Sequence, residues 1–162
     1  ETPGGVDSCG PDAHSPRALL PEARPIAGNR AIRSLRVLVV DDDHGVLRIV
    51  ARALRLRGHR PFVASRGETA FDLLRVHEVD VVLMDVRMPS MSGRTLFDGI
   101  ASQWPHLAAR TVVMSGDSDA RVHEEWLSRS GLPVITKPFE LSDLFALVER
   151  VPADERRQAK GS

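Results

Sequence analysis

The apolar residues of the chain follow two alternating patterns. Short unbroken runs, Val37-Leu38-Val39-Val40, Val81-Val82-Leu83-Met84 and Thr111-Val112-Val113-Met114, are rich in β-branched residues and lack the polar alternation of a half-exposed strand. Such runs predict strands buried on both faces, which belong to parallel sheets under helical cover. Shorter stretches at Pro61-Phe62-Val63-Ala64 and Val134-Ile135-Thr136 bring the strands to five, with the central one opening at Val79.

Between the strands the spacing becomes helical. Val46, Leu47, Ile49, Val50, Ala53, Leu54 and Leu56 recur with Arg48, Arg52, Arg55 and Arg57 mostly between them, and Gly58 supplies the stop. A second helix is predicted over Thr69 to Val76, with Phe71, Leu73 and Leu74 inward. Leu96, Phe97, Ile100 and Trp104 mark a third, which Pro105 ends, after a flexible turn at Gly93. Val122, Trp126 and Leu127 mark a fourth, capped by Asp117 or Ser118 and stopped by Gly131. Leu141, Leu144, Leu147, Val148 and Val151 define the last. Strand and helix alternate five times, which predicts an α/β fold: a doubly wound five-stranded parallel sheet with right-handed crossovers and helices on both faces.

The flanks read differently. Residues 1–34 contain Pro3, Pro11, Pro16, Pro21 and Pro25 with four glycines and no sustained apolar period, so they cannot offset their ordering entropy and are expected to be a disordered linker or extension. The ordered domain is expected over 35–151, and 152–162 as a charged, flexible tail. Opening on Glu1 rather than methionine suggests an excised piece of a longer polypeptide.

Composition narrows the class of partner. The 162 residues hold 22 basic and 22 acidic side chains, so no net charge demands nucleic acid or an anionic membrane, and neither is expected as a partner. Cys9 is the only cysteine, which excludes an internal disulfide framework and a cysteine metal cage and fits a reducing cytosol. No apolar run approaches the roughly 18 residues needed to span a bilayer. A cytoplasmic location follows as the expectation.

Charge changes the picture locally. The first strand ends on Asp41-Asp42-Asp43, the third on Asp85, the fourth on Ser115-Gly116 and the fifth on Lys137-Pro138-Phe139. In an open α/β sheet the ligand crevice lies at these carboxyl ends. Two carboxylates about 4 Å apart repel by roughly 4 kcal/mol at an effective dielectric near 20, so the cluster needs a cation or a shared proton. Oxygen-only ligands favour magnesium, calcium or manganese over zinc. Plainer roles stand beside this one. Asp41 to Asp43 are also N-cap residues, and Asp43 is read as only that; Lys137 and Ser115 would be a surface lysine and a loop hydroxyl. His44 is read as a solvated first-turn histidine, Trp104 and Trp126 as packing, and Arg48, Arg52 and Arg55 as a solvated face or a kinase contact.

Taken together, Val39-Val40-Asp41-Asp42-Asp43, Asp85 with Met88-Pro89 and Gly93, Ser115-Gly116, and Lys137-Pro138-Phe139 resemble in order and spacing the receiver domain of two-component response regulators, a flavodoxin-like fold. The resemblance covers about Leu35 to Val151. It implies that Asp85 is the phosphoacceptor, taking a phosphoryl group from phosphohistidine on a histidine kinase or a histidine phosphotransfer protein, and that the domain catalyses its own phosphotransfer and dephosphorylation. It implies Mg2+, or Mn2+ in its place, bound directly by Asp42, largely through water by Asp41, and by Asp85 and the backbone carbonyl of Arg87. Lys137 would neutralise the transferred oxygens, Ser115 would hydrogen-bond one of them, and Pro138 would follow a cis peptide.

Four positions depart from the family or add to it. Val134 stands where an aromatic switch residue is common, Ser92 replaces an acidic residue before the loop glycine, and Arg87 and Asp117 are spaced to pair across the mouth of the pocket. Trp126 to Lys137 leading into the final helix resembles the C-terminal receiver of a hybrid sensor histidine kinase, which would make this the cytosolic part of a membrane-bound sensor; a stand-alone receiver is the other parent. From outside the class come a haloacid-dehalogenase-like phosphatase, which would leave Asp85 without a role, and a flavodoxin-like binding module, for which no phosphate-cradling loop follows the first strand. A receiver fold acting as an interaction module without phosphorylation is the remaining alternative.

Overall fold

The computed structural model describes the backbone of residues 33–159, with the side chains of those residues apart from 117–122 and 151–159. The linker expected over 1–34 falls almost wholly outside that range, as do Cys9 and residues 160–162. Along the described chain run β1 (Arg36–Val40), α1 (His44–Leu56), β2 (Arg60–Ala64), α2 (Gly67–Val76), β3 (Val81–Asp85), α3 (Gly93–Gln103), α4 (Pro105–Ala108), β4 (Thr111–Gly116), α5 (Asp117–Ser130), β5 (Val134–Lys137) and α6 (Leu141–Ala159).

All four strand pairings are parallel and the order is β2-β1-β3-β4-β5. The chain therefore winds one way from β1 to β2 and the other way from β3 onward. The two windings part between β1 and β3, the switch point where such sheets open a crevice at their carboxyl ends. Alternate residues of the buried strands feed two cores. Leu38, Val40, Val82, Met84 and Val113 pack with Ala70, Leu74, Leu96, Ile100 and Leu107 on one face. Val37, Val39, Val81, Leu83, Val112 and Met114 pack with Leu47, Val50, Leu54, Leu144 and Val148 on the other. Each fully buried aliphatic side chain stabilises the fold by about 1.5–3 kcal/mol, which is why these uninterrupted runs form the centre of the sheet.

Several local expectations are corrected. Ile49 and Leu56 are 62% and 80% exposed. At 100° per residue, Leu47, Val50, Ala51 and Leu54 share one stripe of α1, whereas Ile49 and Leu56, seven residues apart, share the opposite one. Helix α2 starts at Gly67 rather than Thr69, and β3 at Val81 rather than Val79. Pro105 ends α3 as expected, but it also opens the one-turn α4, because a missing N–H costs nothing at a first helical position. The cap position of α5 is Gly116, so the expected caps Asp117 and Ser118 lie inside the helix. The last helix does not stop at Val151 but continues to Ala159, across the unfavourable Pro152 and through Ala153, Glu155, Arg156, Arg157, Gln158 and Ala159, which are good helix formers. Gly58 and Gly131 do end their helices, at φ of 95° and 66°. Trp104 and Trp126 pack against the core, Trp104 stacked on Phe71 and Trp126 edge-on to Phe97.

The amino ends of the strands are fastened by side chains. The Arg36 backbone N–H and guanidinium both donate to Asp80, and the guanidinium also pairs with Glu78. His59, buried beside them, accepts the Leu35 N–H at Nδ1 (3.2 Å) and meets Glu149 of α6 through Nε2 (3.1 Å). This pattern requires a neutral ring with its proton on Nε2. Arg57 closes the network with a two-point pair to Glu149 at 2.8 and 3.2 Å.

Candidate functional site

At the opposite edge the strands end in the residues that the sequence marked. Asp41 follows β1 directly and continues its pairing, its N–H donating to the Ala64 carbonyl at 3.1 Å. Asp85 ends β3, beside Met114 of β4; Ser115 and Gly116 end β4, opposite Thr136 and Lys137 of β5. The order β1-β3-β4-β5 thus sets the acidic pair, Asp85, Ser115 and Lys137 side by side. Gly116 is the register partner of Lys137 and places no side chain beside it.

Asp41, Asp42 and Asp85 each offer an oxygen within 4.8 Å of the other two. Asp41 is fully buried and Asp85 is 5% exposed, while Asp42 faces solvent. Lys137 Nζ stands 2.6 Å from Asp41 Oδ2 and 3.5 Å from Asp85 Oδ1. Burial is the chief force on Asp85; with the nearby charge of Asp41 it outweighs the attraction of Lys137 and raises the carboxyl to about 6. Burial alone would lower the Lys137 ammonium, but its hydrogen bond to Asp41 and the charge of Asp85 hold it above its ordinary value. Three carboxylates against one ammonium leave a negative surplus in a confined place, and the donors are all oxygen. That is the donor set of a hard divalent cation, so these residues fit magnesium on chemical grounds.

The other marked residues are placed as follows. Ser115 is buried, and its hydroxyl donates to the Gly116 carbonyl at 3.2 Å. The backbone N–H of Arg87 donates to the Asp85 carboxylate. The Lys137–Pro138 peptide is cis. His44 opens α1, exposed and outside the carboxylate group. Arg48, Arg52 and Arg55 are exposed along α1. Val134 is 39% exposed on the edge strand β5. The side chain of Asp117, the expected partner of Arg87, lies outside the described residues.

Two features of the site loop were not legible beforehand. Gly93 serves not as a flexible turn but as a close contact: a Cβ there would meet Val86 Cα at 2.8 Å and the Asp85 carbonyl oxygen at 2.9 Å. The start of α3 is therefore pressed onto the end of β3. At the loop's middle, Met91 lies over Gly67 at the start of α2, where a Cβ would stand 2.6 Å from its sulfur. The glycines were visible in the sequence, but the backbones that crowd them come from distant parts of the chain.

The chain matches the response regulator receiver domain family over residues 37–149. It is 32% identical over 115 residues to the regulatory protein AtoC of Escherichia coli, covering 71% of this chain and 24% of that one. It is 33% identical over 110 residues to the transcriptional regulatory protein KdpE of Mycobacterium tuberculosis, covering 68% and 47%. Among solved structures, the receiver domain of a Francisella response regulator superposes with a TM-score of 0.65 at 25% identity, covering 75% of this chain and 99% of that one. A response regulator receiver domain protein from Clostridium thermocellum shares the fold, with a TM-score of 0.68 at 22% identity over 76% and 98%. The chain belongs to the response regulator receiver family. It spans about a quarter to a half of the length of these curated relatives, and membership sets aside the phosphatase and flavodoxin-like alternatives.

Among the described residues no helix is long and apolar enough to cross a membrane.

Proposed function

We propose that the domain is a phosphoacceptor that takes a phosphoryl group onto Asp85 from phosphohistidine on a histidine kinase or a histidine phosphotransfer protein. The observation that carries this reading is the placement of the Lys137 ammonium between Asp41 and Asp85 on the rim of the sheet. An Asp85 oxygen attacks phosphorus, forming an O–P bond as the P–N bond to the donor imidazole breaks, and the imidazole leaves as the neutral ring after taking up a proton. Asp85 must be ionised to attack, and a carboxyl that titrates at about 6 is mostly ionised at neutral pH while remaining a good nucleophile.

Asp42, Asp41, Asp85 and the Arg87 carbonyl would hold magnesium, which when bound supplies charge neutralisation for the transferred oxygens. Lys137 does the same from the β5 side. Ser115 would turn its hydroxyl from the Gly116 carbonyl to a phosphoryl oxygen, trading a long hydrogen bond for a charge-assisted one. Adding a group of roughly −2 charge at this edge would then bias the neighbouring ends of β4 and β5 toward or away from a partner. The hybrid sensor kinase remains a reading from the sequence alone. The name of KdpE, a transcriptional regulatory protein, supports a second parent, a longer regulator whose output is transcriptional.

The test is intact mass after incubation with acetyl phosphate, with and without magnesium. One phosphoryl group should be gained only with the metal, and Asp85→Asn should gain none. An equal gain by that variant would place the acceptor elsewhere.

A further inference from the structure

Asp43 stands outside the carboxylate group formed by Asp41, Asp42 and Asp85, yet it touches both that group and helix α1. Its carboxylate Oδ1 accepts the N–H of Gly45 at 2.7 Å and of Val46 at 3.2 Å, the N-cap of α1. Its own backbone N–H donates to Asp41 Oδ1 at 2.9 Å. The other oxygen of Asp41 is taken by Lys137, so the buried carboxylate is oriented from two sides. Asp42 sits between two residues that are each held in place. Gly45 makes room for the arrangement, because a Cβ there would come within 3.0 Å of Asp43 Oδ1.

We propose that Asp43 is a positioning residue for the metal-binding carboxylates: by capping α1 it holds the backbone turn whose N–H orients Asp41 and which keeps Asp42 beside it. The proposal rests on the phosphoacceptor reading and adds to it a division of labour within the triplet. Asp41 and Asp42 supply charge, whereas Asp43 supplies shape. Asparagine caps a helix as well as aspartate does, so Asp43→Asn preserves the role while removing the charge, and Asp43→Ala removes both. A cap that served α1 alone would change the stability of the helix without changing how the site takes up its ion.

The test combines hydrogen exchange at the residue 43 amide of the metal-free protein with calorimetric titration by magnesium chloride. Asp43→Ala should speed that exchange and weaken magnesium binding by about tenfold, the usual cost of losing a group that orients a ligand. Asp43→Asn should stay within about twofold of wild type on both measures, since its amide oxygen accepts the same two N–H groups. Gly45→Ala provides a check with no charge change. It favours helix by propensity, yet it should move both measures in the direction of Asp43→Ala. At saturating magnesium the maximum labelling rate should be unchanged throughout, with only the magnesium requirement shifted. Equal weakening by Asp43→Asn and Asp43→Ala would mean that charge matters rather than shape, and would overturn the proposal. So would faster exchange in Asp43→Ala with magnesium affinity intact. A wild-type protein that takes no magnesium would instead overturn the phosphoacceptor reading together with this one, and is told apart because no substitution is then involved.

Discussion

The two ends of one sheet handle buried charge in opposite ways. At the amino ends, burial would raise Asp80, but hydrogen bonds from the Arg36 side chain and backbone N–H outweigh it and hold the carboxyl below its ordinary value. At the carboxyl ends, burial prevails and Asp85 rises to about 6. The difference lies in the partners. Asp80 faces a guanidinium that reaches it at two points, and Glu149 is likewise met by Arg57 and His59. Asp85 shares a single ammonium with Asp41, which stands nearer to it. The first end is electrostatically complete and serves stability, whereas the second is short of positive charge, an imbalance that a bound cation would offset.

This contrast can be overturned by substitution at either end. Lys137→Met should slow labelling by acetyl phosphate by about 10²–10³-fold, the usual loss for a preorganised charge partner of a transition state. Glu149→Gln, at the other end, should leave the rate per folded molecule unchanged, and comparable slowing by both would dissolve the distinction. Stability should respond with opposite signs to a single substitution type. In urea at pH 7 without metal, Asp85→Asn should gain on the order of 1–3 kcal/mol, since its ordinary value is 3.8 and each unit of elevation is worth about 1.4 kcal/mol. Asp80→Asn should lose about 1–2 kcal/mol with its charge-assisted bonds, less than a fully buried pair would because Arg36 is partly exposed.

The smallest expected effect is in the pH profile. A carboxyl raised in the folded state lends stability that is fully present below its ordinary value and is lost as pH rises through about 6. Asp80, being depressed, works the other way: its contribution holds above the ordinary carboxylate range and is lost as pH falls below it. Metal-free protein should therefore weaken between about pH 4 and 6 in the Asp85 component, by at most about 1.4 kcal/mol per pH unit. Denaturation midpoints of Asp85→Asn should lack that component, and a profile identical to wild type would refute the elevated carboxyl. Magnesium should recover the loss at the upper end of the range and bind more weakly below about pH 6, where a proton competes for the same oxygens.

The receiver fold and the gathering of its polar side chains at one sheet edge were legible from the residues alone, because uninterrupted apolar runs have few destinations and those side chains follow them immediately in sequence. A strand such as Val81–Asp85 carries its acidic end with it wherever it pairs. Caps and stops were legible in part: Gly58, Gly131 and Asp43 act locally as local rules predict. Local rules failed where several residues competed. Asp117 and Ser118 looked like caps but lie within α5, and Ile49 and Leu56 share the helical spacing of the apolar residues but fall on the outer stripe of α1.

What tertiary structure alone decided is which charges meet. Lys137 and Asp41 are distant in sequence, and only the order β1-β3-β4-β5 brings the ammonium to 2.6 Å from the buried carboxylate. The same is true of Gly93 against the end of β3, of Met91 over Gly67, and of His59 joining Leu35 to Glu149. Periodicity and propensity act over neighbouring residues and can be read in order along the chain. Desolvation, close backbone approach and the balance of charge depend on which surfaces face one another, and the chain acquires those only when the sheet has closed.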